Sequence, residues 1–171
     1  NAIALFPGGF GTHDEGFEIL TLAQTGKSDP QPIVCLQAPG CDYWDDWSAF
    51  IVKQLLKRRL INEEDLSLFK VVNSAEAAVE EISTFYRRYH SIRFVGKLMA
   101  MRLKSSISAE QLEQIQARFG DLLSEGRFEL RTALEEELDE PAIASLPRLI
   151  FPFNRRSAGR LRQLIDHVNH L

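Results

Sequence analysis

An α/β fold on a parallel sheet is what this sequence predicts, and three observations predict it. Residues 1–89 hold three apolar runs, each followed by a stretch with apolar residues at helical spacing. The first two runs are continuous rather than alternating, as strands covered on both faces are. Strands separated by helices run parallel with right-handed crossovers. From residue 90 the order of elements changes to strand, helix, strand, strand, helix. This change predicts a small α+β appendage over residues 90–171, packed on the α/β part at 1–89.

The first unit carries the most information. Ala2-Ile3-Ala4-Leu5-Phe6 is the first strand, and Pro7, Gly8, Gly9 and Gly11 make a turn. Pro7 cannot extend a ladder, and glycines permit backbone shapes and close ligand approaches that a Cβ would block. Thr12 with Glu15 three residues on fits a capping box, opening a helix that runs to about Thr25 with Gly26 just past its end. The free N–H groups and positive dipole end of that helix would face whatever the glycines hold, and they favour a phosphate. Ligands of open α/β sheets sit outside the carboxyl ends of the strands. A tight strand-to-helix connection with Glu15 acting as a cap is the structural alternative.

The later elements follow in order. Pro32-Ile33-Val34-Cys35-Leu36 is a second strand, and residues 37–43 a loop at its carboxyl end. Asp45 or Asp46 caps a helix to about Arg59, with Trp47, Phe50, Ile51 and Leu55 on its apolar face. Leu68-Phe69-Lys70-Val71-Val72 is a third strand. Ser74 caps a helix whose stripe is Ala75, Ala78, Val79, Ile82, Phe85, Tyr86 and Tyr89. Residues 91–104 read as one long strand with an irregularity at Gly96. Ser108 caps a helix bearing Leu112, Ile115, Phe119, Leu122 and Leu123 and ending at Gly126. Residues 127–132 form a strand, 135–140 an acidic loop, and 149–153 a strand that Pro152 places at an edge or a bulge. Residues 157–169 close as a helix with Leu161, Leu164, Ile165 and Val168 on one face.

Composition narrows the function classes. With 44% hydrophobic and 26% charged residues the 171-residue chain is globular rather than disordered. No apolar run reaches the roughly 20 residues of a membrane span, and no basic n-region marks a signal peptide. A cytoplasmic protein that does not bind membrane is expected. Residues 1–89 carry 8 basic and 13 acidic groups (8 − 13 = −5) and residues 90–171 carry 12 and 11 (12 − 11 = +1), which gives no support to nucleic-acid binding. Arg155, Arg156, Arg160 and Arg162 cluster late and read as a solvated helix face or partner contacts, with an anion site as the alternative. Cys35 and Cys41 are too few for a zinc site, and Cys35 reads as a core residue.

Pro7-Gly8-Gly9-Phe10-Gly11-Thr12-His13-Asp14-Glu15 matches PGGxGTxxE, and Glu18 and Ala23-Gln24-Thr25-Gly26-Lys27 continue the match. On these residues the chain resembles the Lonely-Guy (LOG) family of phosphoribohydrolases, in particular a longer bacterial member. The resemblance implies a Rossmann-like domain, of which this chain carries the C-terminal portion. Three strands are few for such a sheet, and the chain opens directly on one. A catalytic arginine of the family is expected in the upstream part. The implied reaction splits the N-glycosidic bond of a nucleoside monophosphate such as AMP into base and ribose 5-phosphate, without cofactor or metal. The transition state is oxocarbenium-like, so a carboxylate can stabilise the cation or activate water. By resemblance Glu15 is that catalytic group, while Gly8, Gly9, Gly11 and Thr12 hold the phosphate. Glu18 either orients a ribose hydroxyl or arginine or is an ordinary helix glutamate. His13 and Asp14, taken as first-turn residues, have a structural role. Asp42, Tyr43, Trp44, Asp45 and Asp46 either line the pocket mouth or form an aromatic helix cap. The family's enzymes are dimers, so a homodimer or higher homo-oligomer is expected. An older label, "lysine decarboxylase", is attached to such sequences, but no lysine here stands in a setting suited to pyridoxal phosphate. The alternatives are a non-catalytic nucleotide-binding module and a regulatory assembly domain.

Overall fold

The strand-helix repeats of the first part close into a three-stranded parallel sheet. In the computed structural model, which describes residues 1–137 and 139–171, β1 (Ile3–Leu5), β2 (Ile33–Leu36) and β3 (Lys70–Val72) lie side by side in that order. Ile3 stands opposite Ile33, and Cys35 opposite Val71. The middle strand is the one that fits the expectation of burial on both faces: Ile33, Val34 and Cys35 are all buried. Ala4 of β1 and Lys70 of β3 are exposed, and each of these strands is paired along one edge among the described residues.

α1 (Phe10–Gln24) joins β1 to β2 and ends as its sequence suggests, with Gly26 at φ +67° and the Lys27 N–H donating to the Leu22 carbonyl at 2.9 Å. Gln24 donates to Asp65 at 2.6 Å, and the same carboxylate oxygen accepts from the Asn62 N–H at 2.9 Å. Asn62 thereby opens a 3-10 helix, Glu63–Leu68, that the sequence did not reveal. The expected helix from Asp45 to Arg59 is divided. α2 (Tyr43–Phe50) begins earlier, with Asp42 at its N-cap, and then widens into a π-helical segment, Ile51–Leu56. There the Lys57 N–H reaches back five residues to Val52. The expected apolar stripe is only partly buried: Trp47 and Ile51 are buried while Phe50 is half exposed. These two join Leu5, Ile33, Cys35 and Trp44 in the core of this sheet. Burial pushes the Cys35 thiol up to about 12, so it behaves as a small core residue.

α3 (Ala75–Phe85) is capped by Ser74, whose Oγ accepts from the Ala77 N–H at 3.1 Å. Ala78 and Phe85 are buried, but Val79 is exposed, and Tyr89 lies in the next strand rather than on the helix. Arg162 is not on a solvated face. It is buried, pairs with Glu81 at 2.5 Å and lies over the Phe85 ring at 4.7 Å.

The described residues fall into two compact units, Asn1–Phe85 with Ser157–Gln163 and Tyr86–Arg156 with Leu164–Leu171. In the second, the one long strand expected over residues 91–104 is a hairpin. β4 (Tyr89–Val95) turns at Gly96, φ +59°, and Lys97 into β5 (Leu98–Leu103). With β6 (Glu129–Arg131) and β7 (Arg148–Phe151) these make an antiparallel sheet of order β4-β5-β7-β6. β7 is therefore internal rather than an edge, and Pro152 falls just beyond its last residue. α4 (Ala109–Phe119) opens on the expected Ser108 cap, completed as a box by Gln111, and gives way to a 3-10 turn, Gly120–Leu122. α5 (Ala158–His170) buries Leu161, Leu164, Ile165 and Val168 as its spacing predicts.

Alternation divides the residues of the antiparallel sheet. Met99, Met101, Leu103, Leu149 and Phe151 are fully buried apolar positions, whereas Ser91, Arg102, Arg148 and Arg131 form a row in register across all four strands. The segment expected as an acidic loop, residues 135–140, of which residue 138 lies outside the described residues, supplies a 3-10 turn, Glu135–Glu137, whose Glu137 is fully buried. Its carboxylate accepts from Arg102 Nε at 2.8 Å and Arg148 Nε at 3.2 Å. Like charges opposed across strands repel. The shared carboxylate explains why the two middle members, Arg102 and Arg148, can both be buried.

Candidate functional site

The candidate site is the turn between β1 and α1. Gly9 is the N-cap, at φ −90° and ψ −154°, and its carbonyl accepts from the N–H groups of Thr12 (3.1 Å) and His13 (3.3 Å). The N–H groups of Phe10 and Gly11 precede that first turn of bonding, as the leading donors of a helix do. With Gly9 rather than Thr12 as the N-cap, the helix begins three residues before the expected place, and the capping box of Thr12 and Glu15 does not form. Thr12 folds back on Gly8 instead: a Cβ on Gly8 would lie 2.1 Å from Thr12 Oγ1. Gly9 and Gly11 face open space, with nothing within 4 Å of an added Cβ. None of the three takes positive φ, so left-handed backbone does not account for them; at Gly8 it is the close approach of Thr12 that excludes a side chain.

With the helix starting at Phe10, Asp14 falls outside the first turn. Glu15 stands one helical turn past Gly11, and Glu18 a further turn along. Both are exposed, and among the described residues neither carboxylate is engaged in a hydrogen bond or ion pair. His13, half buried, lies with Nε2 2.8 Å from Tyr43 Oη, and that hydroxyl donates to the Gly8 carbonyl at 2.5 Å.

Two clefts lie near the turn, and none of Gly8, Gly9, Gly11, Thr12, Glu15 and Glu18 lines either. One, of about 690 Å³, is lined by His13, Phe17, Cys41, Asp42, Tyr43, Asp46, Trp47 and Phe50. The other, of about 570 Å³, lies at the carboxyl ends of the three parallel strands, where Phe6, Pro7, Gln37, Pro39, Asn73 and Glu76 are among its walls. The aromatic stretch after β2 therefore divides between its two expected roles. Asp42, Tyr43 and Asp46 line a cleft. Trp44 is core, with its indole N–H on the Leu36 carbonyl at 3.2 Å, and Asp45 accepts from Gln37 at 2.7 Å.

Gln37 and Asn73 were not singled out in the sequence. Gln37 is buried; its amide donates to Asp45 and to Asn73 (3.0 Å), and its carbonyl accepts from the Trp44 N–H at 2.7 Å. One side chain so ties the ends of β2 and β3 to the start of α2. A polar residue placed directly after the apolar run Ile33–Leu36 was the signal that could have found it.

A parallel sheet whose first strand passes through an open glycine turn into a helix defines an α/β protein with one cleft at the carboxyl ends of the strands. Over residues 1–82, a little under half of the chain, it matches the family described as "Possible lysine decarboxylase". That is the label attached to LOG-type sequences, and the match includes the whole glycine motif. No curated protein matches the chain. The donor set does not fit the pyridoxal phosphate that decarboxylation would call for: among the described residues no lysine lines either cleft. No group of three metal-ligating side chains occurs among them either. No helix among them is long and apolar enough to cross a membrane.

Proposed function

We propose that this chain belongs to a phosphoribohydrolase that cleaves the N-glycosidic bond of a nucleoside 5′-monophosphate such as AMP. The observation that carries the reading is the open turn at Gly9 and Gly11 leading into a 15-residue helix, with the unpaired carboxylate of Glu15 one turn further on. The turn's N–H groups and the helix dipole hold the 5′-phosphate, with Thr12 beside them. Glu15 then acts at the ribose. The bond between C1′ and the base nitrogen breaks, the electron pair leaves with the base, and positive charge develops on the ribose. The carboxylate stabilises that charge and takes a proton from the water that attacks C1′, while a proton is delivered to the departing base. The products are the free base and ribose 5-phosphate. Glu18, exposed on the next turn, orients a ribose hydroxyl. Phe10, Phe17 and Phe50 are exposed aromatic residues, Phe10 at 97%, which supports a homodimer.

Incubating the full-length protein with AMP and measuring adenine and ribose 5-phosphate by chromatography tests this. Stoichiometric release of both, abolished by Glu15→Gln with AMP binding retained, is the expected result. Tight AMP binding without any release would make this a nucleotide-binding module instead.

A further inference from the structure

A peptide unit is planar and trans, so the direction of the Gly8 carbonyl determines that of the Gly9 N–H on the opposite side. With glycine on both sides, this plane meets little steric resistance to flipping. A flip would turn a carbonyl oxygen, instead of an N–H, toward an anion at the turn. Tyr43 opposes it. Its hydroxyl lies 2.5 Å from the Gly8 carbonyl oxygen, which can only accept, so the single phenolic proton is committed there. His13 Nε2, 2.8 Å from the same hydroxyl, must then be the donor of that second bond, which places a proton on Nε2.

The phenol is held in turn. The His13 and Tyr43 rings stack with centroids 5.7 Å apart, and Tyr43 meets the buried Trp44 edge-on at 4.9 Å. Support runs from the core through Tyr43 to the glycine turn, and His13 closes the loop from the helix that the turn opens.

We propose that Tyr43, held by His13, is a positioning residue of the anion site: it pins the Gly8 carbonyl so that the Gly9 N–H faces the phosphate. This inference rests on the phosphate reading of the turn and adds two residues that do not themselves touch the ligand. Tyr43→Phe removes the hydroxyl and keeps the ring. We expect it to weaken binding of AMP and of inorganic phosphate about five- to tenfold, as loss of one net hydrogen bond does. His13→Leu should act in the same direction, His13→Gln, which keeps a donor, should restore binding, and the double variant should be no weaker than Tyr43→Phe alone.

Amide NMR separates positioning from a general loss of structure. On phosphate addition the Gly9 N–H should shift strongly in the wild type and hardly in Tyr43→Phe, while the Phe10 and Gly11 amides shift in both. Wild-type affinity and an intact Gly9 shift in Tyr43→Phe would overturn the inference and leave the phosphate reading standing. A wild type whose turn amides ignore both AMP and phosphate would overturn the two together. If Tyr43→Phe melts early, His13→Leu and its rescue by His13→Gln decide the matter.

Discussion

Glu137→Gln exchanges one carboxylate oxygen for an amide where no water reaches. The side chain is fully buried and accepts from Arg102 Nε at 2.8 Å, from Arg148 Nε at 3.2 and 3.3 Å, and from the Leu134 N–H at 3.1 Å. Arg102 and Arg148 are directly opposed across β5 and β7, with side chains 5% and 0% exposed. Glutamine keeps the shape and one acceptor but removes the charge that both guanidiniums share. Glu140 also contacts Arg102, but it is 41% exposed and its pull is screened by solvent. Leaving buried charge without its partner costs about 3–5 kcal/mol, and we expect a loss of that size, read as a lower urea midpoint at unchanged slope. Replacing all three groups together, by Glu137→Leu, Arg102→Met and Arg148→Met, should restore most of it. The pH dependence has a definite sign. Burial by itself pushes the Glu137 carboxyl up, but hydrogen bonds from Arg102, Leu134 and Arg148 outweigh it and hold the group below the ordinary carboxylate range. A carboxyl depressed in the folded state contributes stability above its unfolded pKa and loses it as pH falls through the folded one. Acid should therefore weaken the wild type more than the triple apolar variant. A Glu137→Gln protein within about 0.5 kcal/mol of wild type would refute the reasoning, since surface changes alone reach that size.

Three further outcomes are open to measurement. Glu15→Gln in the full-length protein should lower the rate of AMP hydrolysis by at least about 10²-fold while the fold, checked by circular dichroism, and phosphate binding are preserved; near-normal turnover would remove the catalytic role. Gly9→Ala should leave the melting temperature nearly unchanged, since its Cβ meets nothing within 4 Å, yet weaken phosphate binding in calorimetry, whereas Gly8→Ala should disturb the turn itself by displacing Thr12. Gly159→Ala should destabilise by about 1–3 kcal/mol in chemical denaturation, because its Cβ would sit 2.2 Å from the Glu64 carbonyl oxygen and 2.8 Å from the Asp65 nitrogen, which are backbone and cannot swing aside.

The sequence by itself determined those features whose signals are local. The apolar run at Ile33–Leu36, the Gly26 end of α1, the Ser74 and Ser108 caps and the stripe of α5 each depend on residues within about a turn of one another, and all stand where their spacing places them. The glycine turn between strand and helix was legible for the same reason. Tertiary structure decided what depends on distant partners. Thr12 and Glu15 satisfy the pattern of a capping box, yet the helix starts at Phe10, with the Gly8 carbonyl held by Tyr43 from 35 residues away. Gln37 reads as an ordinary polar loop residue until Asn73 is brought beside it. Glu137 reads as one acid among several, and Arg162 as one of a cluster of cations, until Arg102, Arg148 and Glu81 reach them across long stretches of chain. Burying a charge is costly unless its partner arrives with it, so which acid or arginine turns inward is settled only when the partner's position is settled. The place of β7 inside its sheet follows the same rule: Pro152 in a sequence argues for an edge, but where the strand ends, and so whether the proline must donate at all, is set by the register with β5 and β6.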